Sequence, residues 1–242
     1  MRLTDRCFAL TGFGYLPPWS VNAGFIRGDD LTLVVDAGPH RQAAATLFGY
    51  AKTASPGNEL RVINTERHLD HMLGNCYFVE QGIAVYGHPS VRRSEADLAS
   101  EIREYEASLT DPVRRAAGEA HLLFQGTRVC NPSHVIDQDT RMDLGGVVVE
   151  IIMTPGHTDS NLSVFVPVER VLYCGDCIVN GYLPNLGSGS ARDWQLWLAA
   201  LDRLEALDAR FVVPGHGPVL VGPAIRAAID RVRKVLRDAL GA

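Results

Sequence analysis

An apolar run at residues 60–63 leads directly into Asn64-Thr65-Glu66-Arg67-His68-Leu69-Asp70-His71, the stretch that most narrows what this chain can fold into. A spacing of two between Glu66, His68 and Asp70 fans their side chains out from an extended or tightly turning segment. The adjacent His71 points elsewhere, so the cluster suits two neighbouring ions. Hanging from the end of a strand-like run, it occupies the usual place of a ligand site in an α/β fold, outside the carboxyl ends of the strands.

The rest of the chain is consistent with such a fold. Residues 20–26 and 31–35 are strand-like runs joined by Arg27-Gly28-Asp29-Asp30, residue types that tolerate unusual turn angles, and the second run ends in Asp36-Ala37-Gly38. A helical pattern over residues 41–51 carries Ala43, Ala44, Leu47 and Phe48. After the cluster come a strand at residues 83–86 and a helical stretch over residues 90–118, broken at Asp111-Pro112. In that stretch Leu98, Ile102, Tyr105 and Leu109 share one apolar face, so it either caps a cleft or packs on a sheet as a surface helix pair. From His134 the pattern changes to short β-runs at residues 134–136, 146–153, 162–166 and 171–173, followed by a loop at 180–190 rich in glycine, asparagine and serine. Ser190 and Asp193 open a helix whose apolar face holds Trp194, Trp197, Leu198, Leu201 and Leu204. Residues 211–213 form a last strand, and Pro223 starts a final helix. The order strand-rich, helical, strand-rich, helical predicts two sheets, each built by one half of the chain, with helices outside.

Composition excludes several classes. With 46% hydrophobic and 21% charged residues the chain is neither disordered nor a coiled coil. A net charge of −5 leaves no basic stripe for nucleic acid. No apolar run reaches the length of a membrane span and no secretory signal is visible, so a cytoplasmic protein with a small-molecule substrate is expected. The five cysteines are scattered, and Cys174-Gly175-Asp176-Cys177 reads as packed thiols.

Three more glycine-rich turns beside strands carry ligand-type residues: Thr154-Pro155-Gly156-His157-Thr158, Gly175-Asp176 and Pro214-Gly215-His216-Gly217. With these, and with Asp36 at a strand end, nearly the whole chain resembles the metallo-β-lactamase-fold hydrolases, whose signature is H-x-H-x-D-H, a distant His, a bridging Asp and a final His. The resemblance implies one α/β domain over residues 1–242, a four-layer αββα sandwich of two mixed β-sheets flanked by helices, with residues 90–118 as a helical insertion. It implies that one ion is held by Glu66, His68 and His157 and the other by Asp70, His71 and His216. Asp176 would bridge the two, and Asp70 would also orient the nucleophile. Two divalent ions are expected, zinc before iron or manganese, since imidazole and carboxylate ligands suit all three.

Glu66 departs from the family, which usually has histidine there. Two terminal carboxylates and the bridge set three negative ligands against four positive charges, so one bridging hydroxide neutralises the centre. The substitution therefore makes the bound water less acidic and favours harder metals.

The implied reaction is hydrolysis by a metal-bound hydroxide of a small acyl compound: an ester, thioester, lactone or β-lactam-like amide. Bona fide β-lactamases are exported and typically carry Cys or Ser where Asp176 stands here. Glyoxalase II-like thioesterases share the Asp but add a helical substrate-binding domain. Glu66 also raises an iron-dependent oxidoreductase of the same fold, as in the flavodiiron branch, and a non-catalytic metal-binding member. Tyr182, Asn185 and Trp194 are candidates for substrate contact. His40, His121 and His134 read as surface groups, and His88 is the weaker candidate for lining a cleft.

Overall fold

Each half of the chain builds one mixed sheet, and the two sheets face each other. A computed structural model describes residues 1–16 and 19–241. The first sheet has β1 (Cys7–Gly14), β2 (Ser20–Arg27), β3 (Leu31–Val35), β4 (Glu59–Ile63), β5 (Ala84–Gly87) and β6 (His134–Val135), in that spatial order. The first three strands are antiparallel and β3 to β6 run parallel. The second sheet has β7 (Thr140–Asp143), β8 (Val148–Met153), β9 (Leu162–Val166), β10 (Val171–Tyr173), β11 (Phe211–Val213) and β12 (Leu220–Val221), with only β10 and β11 parallel.

Burial explains why the central strands show in the sequence as continuous apolar runs. Every residue of β3 and β9 is buried, because one face of each sheet meets the other sheet and the opposite face meets helices. Leu33, Val35 and Ile63 pack between the sheets against Val149, Val164 and Tyr173. On the outer face of the first sheet, α1 (Arg41–Ala54) and α3 (Asn75–Glu80) cover Val34, Val62 and Val85. On the outer face of the second, α7 (Ala191–Ala206) and α8 (Pro223–Leu240) cover Phe165, Leu172 and Val212. The result is the αββα sandwich that the sequence leads one to expect.

The helical stretch begins later than expected, at α4 (Glu95–Ser108), where Ser94 and Asp97 form a capping box. It stops before Asp111, which caps α5 (Pro112–Ala116), and α6 (Glu119–Leu123) follows. Leu98, Tyr105 and Leu109 face α6 and Leu69, leaving the polar face of α4 for a cleft. Two sequence expectations need correction. His40 is not a surface group: burial pushes it down to about 4, so its neutral ring accepts the Ala43 N–H and caps α1. Gly28 is required for closeness and not for turn angles, since a Cβ there would meet the Leu144 carbonyl oxygen at 1.8 Å. Among the described residues no helix is long and apolar enough to cross a membrane.

Candidate metal centre

The cluster sits on the seam between the sheets. β4 ends at Ile63, and Asn64, Thr65 and Glu66 turn inward, fully buried, before the short helix α2 (Leu69–Met72) begins. The Thr65 carbonyl accepts the Leu162 N–H from β9 at 2.7 Å, tying the turn to the other sheet. The Thr65 amide donates to Asp36 Oδ1 at 2.7 Å, and its hydroxyl to Oδ2 at 2.8 Å. Asp36 holds a left-handed backbone conformation (φ 62°) at the end of β3, which these bonds and one to His71 Nδ1 at 2.9 Å sustain.

The other ligand-type residues arrive from the ends of β8, β10 and β11. His157 follows β8, Asp176 lies in a 3₁₀ turn after β10, and His216 follows β11. Gly215 allows the last two to meet, because a Cβ there would lie 1.9 Å from Asp176 Oδ1. Asn22 of β2 holds that loop from the opposite sheet, donating to the carbonyls of Pro214 (2.9 Å) and Gly217 (2.7 Å).

All seven sequence-predicted ligands converge, in two groups. Glu66, His68, His157 and Asp176 form one, and Asp70, His71 and His216 the other; within each group one ligand atom per residue lies within 4.8 Å of the rest. Glu66 Oε2 is 2.8 Å from His68 Nδ1, and Oε1 is 3.2 Å from His157 Nε2. Asp176 reaches across: Oδ2 is 3.5 Å from His157 Nε2 and 3.2 Å from His216 Nε2, while Oδ1 is 3.3 Å from His71 Nε2. Asp70 Oδ2 is 3.3 Å from His216 Nε2. Arg67, next in sequence to Glu66, turns away to Asp159 at 3.2 Å.

Three of the four rings are set by a partner on the far nitrogen. His216 Nδ1 donates to the Ser20 carbonyl at 2.7 Å, which turns Nε2 inward. Asp36 does the same for His71. His68 is turned the other way, with Nε2 2.8 Å from Ser188 Oγ and Nδ1 toward the centre. His157 is braced edge-on by buried Trp197, ring centroids 5.1 Å apart. Ser188, Ser20 and Asn22 were not expected from the sequence. A serine acting through its main-chain carbonyl leaves no sequence signal, and Ser188 is one of several serines in a polar loop.

The charges are strongly coupled. Burial opposes ionisation, yet His68 and His157 hold Glu66 well below the usual carboxylate range, and His216 and His71 do the same for Asp176. Against the same burial penalty, Asp176 and Asp70 push His216 up to about 11, and Asp70 and Asp36 raise His71 well above its ordinary value. In the metal-free protein these lowered acids contribute stability that is fully present above the ordinary carboxylate range and is lost as pH falls from that range through their depressed values. The raised histidines contribute stability that is fully present below the ordinary histidine value of about 6.5 and is lost progressively as pH climbs from there toward 11. Melting of the chelated protein against pH is expected to show a decline that sets in near pH 6.5, where the unfolded histidines lose their protons, and continues through the alkaline side. A melting temperature that stays level from about pH 7 to about pH 10 would contradict this coupling.

A cleft of about 490 Å³ opens on the centre at His68, Asp70, Asp176 and His216, with Asn185 and the polar face of α4 along its sides. Tyr182 stacks on Trp19 beside it at 4.6 Å. Trp194 instead packs with the buried side of α7, and His88 accepts from the Ser90 N–H away from the cleft. Cys174 and Cys177 are free, buried thiols raised by that burial.

Comparison with known proteins agrees with this architecture. A Caenorhabditis elegans β-lactamase-like protein 2 homolog is 34% identical over 112 residues, 43% of this chain and 36% of that protein. A linear primary-alkylsulfatase of a Pseudomonas strain is 23% identical over 89% of this chain and 44% of its own length, so the matches span less than half of both relatives. A probable metallo-hydrolase of Bacillus subtilis, YqjP, is 26% identical over 85% of this chain and 69% of its own. Among solved structures, a metallo-β-lactamase from Pontibacter korlensis superposes with a TM-score of 0.73 over 98% of both chains at 19% identity, a likeness of fold alone. The sequence profile described as the metallo-beta-lactamase superfamily matches residues 16–216, which covers the first and last of the converging ligand positions. The chain belongs to the metallo-β-lactamase superfamily.

Proposed function

We propose that this chain is a dinuclear metal-dependent hydrolase of a small acyl compound, an ester, thioester, lactone or β-lactam-like amide. The observation that carries the reading is a set of buried atoms, both Glu66 oxygens, Asp176 Oδ1 and His71 Nε2, that lie among the ligand-type atoms of the two groups without completing a hydrogen bond. Leaving such groups unpaired costs about 1–3 kcal/mol each, and more when charged. Divalent cations satisfy all of them at once, and the mixed imidazole and carboxylate donors suit zinc first, then iron or manganese. Glu66, His68 and His157 would hold one ion, Asp70, His71 and His216 the other, with Asp176 between them. Bound there, two divalent ions supply a water of lowered pKa and polarise the acyl oxygen.

The side chains have distinct tasks in this reading. Asp70 and His216 border the cleft, so Asp70 Oδ2 is placed to orient the attacking water and hold its proton. Glu66 is wholly buried and does not border the cleft, so its contribution is charge and geometry. Asp36, Ser20 and Ser188 fix the ring orientations. Five free, buried cysteines fit a reducing, cytoplasmic setting.

The test is elemental analysis of the native protein combined with an acyl-substrate panel. Close to two ions per chain are expected, with ester or thioester hydrolysis lost on chelation, restored by added metal and absent from His68→Ala. Fewer than one ion per chain in a folded protein, or hydrolysis indifferent to chelation, overturns the reading.

A further inference from the structure

The cleft beside the centre has two unlike walls. On one side α4 presents Glu101 and Glu104, three residues apart and therefore on one face of the helix. Like charges in that register disfavour the helix and, among the described residues, no cationic side chain pairs with either, while burial raises Glu101 above its usual range. The Tyr15 hydroxyl donates to Glu101, and the Ser100 hydroxyl to Glu104 at 3.3 Å, both uncharged donors. Among the described residues neither carboxylate has an Arg, Lys or His nitrogen within ion-pair distance. The one arginine of the cleft, Arg93, instead donates to the Arg67 carbonyl at 2.9 Å and lies 3.9 Å from Asp97, whose other oxygen is taken up by the Ser94 cap.

The opposite wall is aromatic. Trp19 borders the cleft, stacks on Tyr182 at 4.6 Å and meets the edge of His216 at 5.5 Å, so the indole lies beside the centre in the cavity that Glu101 and Glu104 also line. At the cleft floor Asp176, only 7% exposed, leaves Oδ1 without a hydrogen-bond partner. The same cavity is therefore lined by carboxylates with no cationic partner, by an aromatic face and by a carboxylate of the centre.

We propose that this cleft recognises a cationic group, an ammonium or quaternary ammonium, held between the carboxylates of Glu101 and Glu104 and the ring of Trp19. Aromatic faces combined with carboxylates are suited to such ions, because the ring quadrupole and the full charges attract the same ligand. The volume of about 490 Å³ suits a small molecule that places its cation against α4 and its acyl group at the floor. The acyl half of that substrate rests on the hydrolase reading; the cation site does not.

The experiment separates the two. Calorimetric titration of the metal-loaded protein with choline and with its uncharged isostere 3,3-dimethylbutan-1-ol is expected to give roughly tenfold tighter binding of the cation. In Glu101→Gln/Glu104→Gln that preference falls toward one, and in Trp19→Leu it shrinks; added salt weakens choline alone. Thermal melting establishes that each variant is folded. Equal binding of the two probes by the unaltered protein, or a preference unchanged in the folded double variant, overturns the proposal. Hydrolysis of acetylcholine and of 3,3-dimethylbutyl acetate is measured in parallel, with the ratio of their kcat/KM values expected to follow the binding preference. Turnover of neither ester alongside an intact choline preference upholds the cation site and counts against the hydrolase reading.

Discussion

Asp176→Asn is expected to lower kcat/KM by roughly 10²–10³-fold and to bring metal content below two ions per chain. The side chain keeps its shape, so what is lost is charge at a carboxylate whose two oxygens reach both groups, His157 on one side and His71 and His216 on the other. Four imidazoles would then be balanced by Glu66 and Asp70 alone, and two adjacent divalent ions would repel with one screening charge fewer. Elemental analysis and substrate kinetics on the same preparation check this. Unchanged stoichiometry with unchanged kcat/KM would show that Asp176 does not bridge.

Glu66→His is the second large effect, and its sign is opposite for two observables. Replacing a buried anion with a neutral ring raises the net charge of the centre by one. A more positive centre acidifies the attacking water, so the acidic limb of the pH–rate profile moves down, by roughly one to two units. The same change removes a hard oxygen ligand, so preference for manganese or iron over zinc should weaken in competition loading. Glu66 faces His68 and His157 at 2.8 and 3.2 Å, so a ring of similar reach meets the same partners. A pH profile that stays fixed while metal content is unaltered would remove Glu66 from the centre.

How much was legible in the sequence follows from what each element does. Strands such as β3 and β9, buried on both faces, announce themselves as apolar runs. β7 escapes notice because it is an edge strand, Thr-Arg-Met-Asp, with little buried surface to impose a pattern, and β12 has only two residues. β1 is masked by an irregularity between Leu10 and Phe13, where Gly12 has a φ of 82°. In the site, the ligand residue types and their place at strand ends were readable, because few side chains can perform that chemistry. Which ring nitrogen faces inward was not, since it depends on Ser188 for His68 and on a main-chain carbonyl for His216. Nor was the acidic and aromatic cleft, which is assembled from α4 and from Tyr15, Leu16 and Trp19 far away in the chain.

The Leu162 to Thr65 hydrogen bond and the Asn22 bonds to the 214–217 loop have a bearing on biogenesis. Because they cross between halves, a nascent chain that has emerged only through its first sheet owns Glu66, His68, Asp70 and His71 but none of the groups that complete either set. Contacts so distant in sequence form late, since their loop-closure cost must be met first. On the dinuclear reading, metal capture would be a finishing step of folding, one that rewards only a completely docked pair of sheets.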